Sequence, residues 1–187
     1  MKSNFSFPYS LLLLLFGLWL LALVFASGGC GYATTGYIYN EKKIFITPVT
    51  NEVDITSEAR KYSEYRSFPV LLEKKLTNTL IDKFNTYGRL KVVSQEAGAL
   101  KLGCTVKDYR KEALRYTDGD EVNEQRLWLD VYIVLTDSKG VVLKEGTESG
   151  KASYFLSGPQ SKSESAAQKD LIDDTARRIQ EAVVEEW

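Results

Sequence analysis

Apolar side chains recur along this chain with three different rhythms. From Leu11 to Ala26 they are unbroken, between Phe68 and Phe84 they return every four residues, and from Leu100 to Leu135 they alternate. The four-residue rhythm, Phe68, Leu72, Leu76, Leu80 and Phe84 with Leu71 and Ile81 beside them, predicts one apolar helix face. Pro69 stands near its start, where a missing N–H costs little, and Gly88 supplies the stop. Alternation predicts strands. "KKIFITPV" (Lys42 to Val49) is β-branched and aromatic, and "RLKVVSQ" opens with Leu90 and Val92 two apart. In "ALKLGCTVKDY", Leu100, Leu102, Cys104 and Val106 share one face, which places Cys104 in the core. In "RLWLDVYIVLTD", Leu127, Leu129, Val131, Ile133 and Leu135 face one way, and Trp128, Asp130, Tyr132 and Val134 the other. "TDSKG" is a turn by its Asp, Ser and Gly. "VVLKEGTESGKASYFLS" returns as a strand, with a bend or bulge expected near Gly146 or Gly150.

A last helix follows the loop "GPQSKSES". Ser165 and Gln168 have capping-box spacing. Leu171, Ile172, Thr175, Ala176, Ile179, Ala182 and Val183 form its buried stripe, with Asp173, Asp174, Arg177, Glu181 and Glu185 on the solvated side. Two helices can cover only one face of such a sheet. The expected fold is therefore α+β, a two-layer sandwich with two helices packed on one face of a mostly antiparallel four- to five-stranded sheet. The uncovered face carries Lys, Thr, Tyr, Trp and Asp, so it is wet or meets a partner.

The unbroken run has a different meaning. Lys2 is the sole charge before it, and Ser27, Gly28 and Gly29 follow it before Cys30. A basic start, an apolar stretch and a small-residue exit make a secretory signal. The run falls short of the ~18–20 apolar residues that cross a bilayer comfortably, which leaves a spanning anchor as the alternative. Cys30 resembles the acceptor cysteine of bacterial lipoproteins, although Ser27 stands where those motifs carry a leucine-like residue. An ordinary cysteine beyond a plain cleavage site is the other reading. The lipoprotein resemblance implies diacylglycerol on the Cys30 sulfur. Because Gly31 stands where an inner-membrane retention signal would place aspartate, it also implies sorting to the outer membrane. The organisation expected is a leader over residues 1–29, a lipidated tether over 30–40 and a single domain over 41–187.

Charge and composition then remove whole classes of function. The chain of 187 residues has a net charge of −1, so nothing draws it generally to nucleic acid. Histidine is absent, which excludes Ser–His and Cys–His nucleophile pairs and disfavours zinc. The glycines outside the leader mark turns or breaks in strands rather than a phosphate-cradling loop. "DGDE" (Asp118 to Glu121) falls in a strand connection and Asp173–Asp174 on a wet helix face, so both read as solvated charge. No cofactor and no enzymatic activity are expected. One stretch is locally cationic, "KDYRKEALR" from Lys107 to Arg115. Its Arg and Lys side chains beside Tyr109 and Tyr116 suit an anionic amphiphile, or are the ordinary solvated charges of a long hairpin.

Several segments resemble the lipopolysaccharide-assembly lipoproteins, the LptE family. "GCGY" resembles their mature start. "KIFITPVTNEV" is similar to their first strand and the loop after it. "LEKKLTNTLIDKFNTYGRLKVVSQEAGALKLGCTVKDY" is similar to their helix, Gly-Arg turn and following strands. "ASYFLSG" followed by "ESAAQKDLIDDTARRIQEAVVEEW" resembles the family's Tyr-bearing strand and last helix. The segment from Val53 to Ser67 is longer and more charged than the family's loop. The resemblance implies an outer-membrane lipoprotein on the periplasmic face, held by a lipid anchor. It implies lipopolysaccharide as ligand and an LptD-like outer-membrane β-barrel as the partner it plugs and supports. The ligand-contact candidates are Arg110, Lys111 and Arg115, with Lys139 in the "DSKG" turn. A lipoprotein that regulates a cell-wall synthase, or builds a secretion-type assembly, is the competing function.

Overall fold

A computed structural model describes residues 42–53 and 68–184. The leader, Cys30, the tether, residues 54–67 of the first long loop, Glu185 and Trp187 lie outside the described residues. The strands are β1 (Lys43–Ile46), β2 (Thr50–Asn51), β3 (Lys91–Val92), β4 (Leu100–Tyr116), β5 (Val122–Thr136) and β6 (Val142–Phe155). The helices are α1 (Leu72–Tyr87), between β2 and β3, and α2 (Glu164–Val184), after β6. Both helices pack against one sheet of six strands, ordered β3-β1-β4-β5-β6 with β2 also on β4.

The class is the expected one, but the sheet is mixed and has more strands than expected. β4, β5 and β6 form an antiparallel meander. β1 runs parallel to both β3 and β4, and β2 parallel to β4. The cause is topological: α1 intervenes between β1 and β3, and a helical crossover returns the chain to the same end, so the next strand runs in the same direction. The additional strands, β2 and β3, are two residues each, too short to show a period.

The core follows the alternation closely. Leu100, Leu102, Cys104 and Val106 of β4 are buried, as are Leu127, Leu129, Val131, Ile133 and Leu135 of β5. Beyond Val106 the register slips: Val106 pairs with Val131 but Asp108 with Asp130, leaving Lys107 as the extra residue of a bulge. Tyr109 thereby reaches the buried side, where its ring meets Phe68 edge-on at 5.7 Å. The four-residue stripe of α1 is buried at Leu72, Leu76, Leu80 and Phe84. Leu71 departs from expectation, being 61% exposed. It precedes the helix in a left-handed conformation (φ 59°), which turns its side chain off the stripe. Pro69 accordingly lies ahead of the first turn rather than within it, its carbonyl accepting the Leu72 N–H at 3.2 Å. Gly88 closes α1 as expected, left-handed with its N–H on the Phe84 carbonyl at 3.3 Å.

Two details of the last strand and helix correct the sequence reading. α2 is capped by Ser163, whose Oγ accepts the Ala166 N–H at 3.2 Å, and not by Ser165. Ser165 already sits inside the first turn, and Gln168 instead reaches Glu164. β6 pairs with β5 without a bulge at Gly146 or Gly150; the irregularity lies at Leu135/Thr136. Gly150 has a different duty. A Cβ there would stand 2.0 Å from Thr175 Oγ1 and 2.8 Å from Thr175 Cα, so its bare backbone lets α2 settle onto the sheet.

Candidate functional site

With the helices on one side, the outer face of the meander is left to charged and aromatic residues. Cross-strand register decides which of them meet. Arg110, Trp128 and Lys151 lie side by side across β4, β5 and β6, and Glu112, Arg126 and Ser153 form the next row. Asp130 and Ser149 sit one row to the other side. Trp128 is half-buried, and its indole Nε1 donates to Glu112 Oε2 at 2.9 Å, which fixes the ring. Three cations approach that ring: Arg126 at 5.6 Å from its centroid, Arg110 at 5.7 Å and Lys151 at 6.0 Å. Contacts of this length are attractive through the ring quadrupole.

The three cations differ in how their charge is met. Arg110 lies between two carboxylates, Asp108 at 3.1 Å and Asp130 at 3.0 Å, and Asp130 also accepts Ser149 Oγ at 2.6 Å. Arg126 donates Nε to the neutral Ser153 hydroxyl at 3.2 Å. No described carboxylate stands within ion-pair reach of Arg126 or of the Lys151 ammonium. Farther along the face, Tyr132 donates to Glu145 at 3.0 Å beneath Lys107, and that bond, first among the causes, raises the phenol's pKa.

The four side chains singled out from sequence are not brought together. Arg110 is in the outer-face cluster. Arg115, 69% exposed, also lies on that face, paired with Glu124 at 3.0 Å and 6.0 Å from the Phe155 ring centre. Lys111 points the opposite way, because neighbouring strand residues alternate. Its ammonium meets Glu164 at 3.2 Å near the start of α2 and is 16% exposed. Tyr154 joins the same polar knot, donating to Gln125 at 2.6 Å; burial first, then the Glu164 charge, pushes its pKa up. Lys139 is exposed in the β5–β6 turn at the other end of the sheet, its backbone N–H on Asp137 Oδ1 at 2.8 Å. Sequence reasoning missed Arg126 and Lys151. Arg126 is two residues before Trp128 and shares its face by parity alone, but Lys151 is placed there by the β5–β6 register.

Cys104 offers no reactive thiol. It is free, 3% exposed, and burial pushes its pKa up to about 12. Among the described residues no three His, Cys, Asp or Glu side chains gather as a metal site, and no helix is long and apolar enough to cross a membrane.

Fold and face together define an α+β domain with one sheet face covered by helices and the other, among the described residues, left uncovered, aromatic and charged. The family model for lipopolysaccharide assembly, LptE, matches residues 43–184. The chain belongs to that family. Solved structures with a similar trace include a minor lipoprotein from Acinetobacter baumannii, 20% identical with a TM-score of 0.48, covering 77% of this chain and 93% of that one. The rare lipoprotein B from Shewanella oneidensis is 13% identical with a TM-score of 0.45, over 74% and 92% of the two chains. Lipoprotein B from Nitrosomonas europaea is 14% identical with a TM-score of 0.44, over 80% and 90%. No curated protein matches the sequence significantly.

Proposed function

We propose that this chain is an outer-membrane lipoprotein, anchored through an acylated Cys30, that binds lipopolysaccharide and supports an LptD-like β-barrel as its plug. The family match over residues 43–184 carries the reading. The protein acts by binding, without catalysing a reaction. Its uncovered sheet face agrees with this role, since a domain that holds a phosphorylated amphiphile needs cations and rings on an accessible surface. Arg110 and Arg115 supply cations on that face, Lys139 supplies one at the turn, and Lys111 contributes by holding the start of α2 to β4.

The test is recovery of the partner. An affinity-tagged full-length chain, cross-linked in cells and purified from the outer membrane, should bring down one large β-barrel protein with bound lipopolysaccharide. Recovery of a cell-wall synthase, or of a ring of copies of the chain itself, would overturn the proposal.

A further inference from the structure

We infer that the outer face around Trp128 is a subsite for a phosphorylated sugar. The indole would lie against the pyranose ring, and Arg126 and Lys151 would take the phosphate oxygens. The inference rests on the lipopolysaccharide reading and assigns that ligand's headgroup to residues outside the cationic stretch Lys107–Arg115.

Three observations carry it. First, the ring is held before any ligand arrives, because Trp128 Nε1 is tied to Glu112 at 2.9 Å. A pre-set aromatic plane loses little freedom on binding. Second, the charge around the ring is unevenly spent. Arg110 is held by Asp108 and Asp130, whereas Arg126 has a neutral hydroxyl and Lys151 has no described carboxylate within reach. Those two cations can therefore take an anion without first breaking an ion pair. Third, their placement suits a ring with acidic groups at its rim. Lys151 is directly across from Trp128 on the neighbouring strand, and Arg126 is two residues along the same strand. The charged groups themselves stand 6.0 Å (Lys151 Nζ) and 5.6 Å (Arg126 Cζ) from the centre of the indole ring, within reach of acidic substituents on a sugar ring laid beside it. Guanidinium and ammonium groups at that rim match phosphate oxygens by charge-assisted hydrogen bonds. A plain anionic lipid would use the cations and leave the fixed indole without a role.

The same chemistry occurs in a lipid-linked headgroup and in a soluble sugar phosphate; the assignment here is to the lipid-linked form. The full-length chain in detergent is titrated with bisphosphorylated lipid A, chemically dephosphorylated lipid A, glucose 6-phosphate and phosphatidylglycerol. The variants are R126Q/K151Q and W128L, each checked by circular dichroism. All three side chains project from the sheet on the face away from the helices, so both variants should keep the fold. Loss of both phosphate contacts should weaken bisphosphorylated lipid A by about tenfold or more. It should leave the dephosphorylated lipid unchanged, whereas W128L should weaken both.

Wild-type affinity in a folded R126Q/K151Q protein overturns the subsite while leaving lipopolysaccharide binding intact. Failure of the wild type itself to bind lipid A removes the wider reading and the subsite with it. An equal loss toward phosphatidylglycerol overturns the sugar assignment in favour of a general anion patch. Glucose 6-phosphate binding as tightly as lipid A overturns the lipid-linked assignment.

Discussion

Asp174 shows how little a residue's place on a polar helix face says about its work. Its neighbours suggested a solvated charge, yet its carboxylate accepts the backbone N–H of Lys151 at 3.0 Å, Arg178 Nε at 2.9 Å and Arg177 Nη2 at 2.6 Å. The first of these bonds ties α2 to the outermost strand of the sheet, a link invisible without the β5–β6 register. Burial acts to raise the carboxyl's pKa, but the Lys151 amide and the Arg178 and Arg177 bonds outweigh it and hold it below the ordinary carboxylate value. The sign of the pH dependence follows. In the unfolded chain the group titrates near pH ~3.9, and in the folded protein lower. Its contribution is therefore complete above that pH and is lost as pH falls through the folded value. Asp174→Asn should lower unfolding stability by about 2 kcal/mol at neutral pH, the scale of hydrogen bonds to a charged group. The deficit should shrink in denaturant titrations carried down toward pH 3. A variant equally stable at pH 7, or a deficit that grows with acid, would show that the carboxylate does not pin the helix.

At the scale of elements, what could be read was what repeats. The stripes of α1 and α2 and the alternation of β4 and β5 place one side chain in the core at every period, so Leu76, Val131 and Ile179 were legible from spacing alone. Three kinds of feature were not. β2 and β3 are two residues long and carry no period. Parallel pairing of β1 depends on the crossover through α1, not on β1's own residues. The Lys107 bulge inserts one residue and returns Tyr109 to the core, which strict alternation from Leu100 would have placed outside. The outer face divided in the same way: Trp128 and Arg126 share a strand's parity, while Lys151 needed the partner strand. Gly150 was expected as a bend or bulge, but the strand runs through it in register and its role is to seat a helix. Gly150→Ala should cost about 2 kcal/mol, within the usual range for overpacking, because both Thr175 Oγ1 and the helix backbone obstruct a methyl group. Thr175→Ala in the same chain should restore only part of the loss, since Thr175 Cα at 2.8 Å remains in the way. Gly146→Ala, with nothing within 4 Å, should be close to neutral. Equal melting shifts for the two glycines would refute the close approach of α2.

For the whole molecule, the question is what brings this sheet face to its ligand. The chain's net charge of −1 gives no long-range attraction to a phosphorylated membrane surface, and no described helix can cross a bilayer. On the proposed function, a chain with this charge that binds an anionic glycolipid would gain from a hold on the membrane that does not depend on its own charge. Acylation at Cys30, as proposed, would supply it. Each buried methylene contributes ~0.8 kcal/mol, and two or more chains hold a protein stably where one would not. The proposed tether, Gly31 to Asn40, is rich in glycine and tyrosine. Cys30→Ser should block lipidation and leave uncleaved or unlipidated protein. Density-gradient flotation should move it out of the outer-membrane fraction, while the domain keeps its fold and its affinity for lipid A in solution. Mass spectrometry of the wild type should find the mature terminus at Cys30 carrying acyl chains. A mature terminus elsewhere, together with unchanged flotation of Cys30→Ser, would mean that another segment holds the protein to the membrane. Loss of lipid A affinity by the folded, soluble variant would show instead that the anchor takes part in recognition and that the sheet face is insufficient on its own.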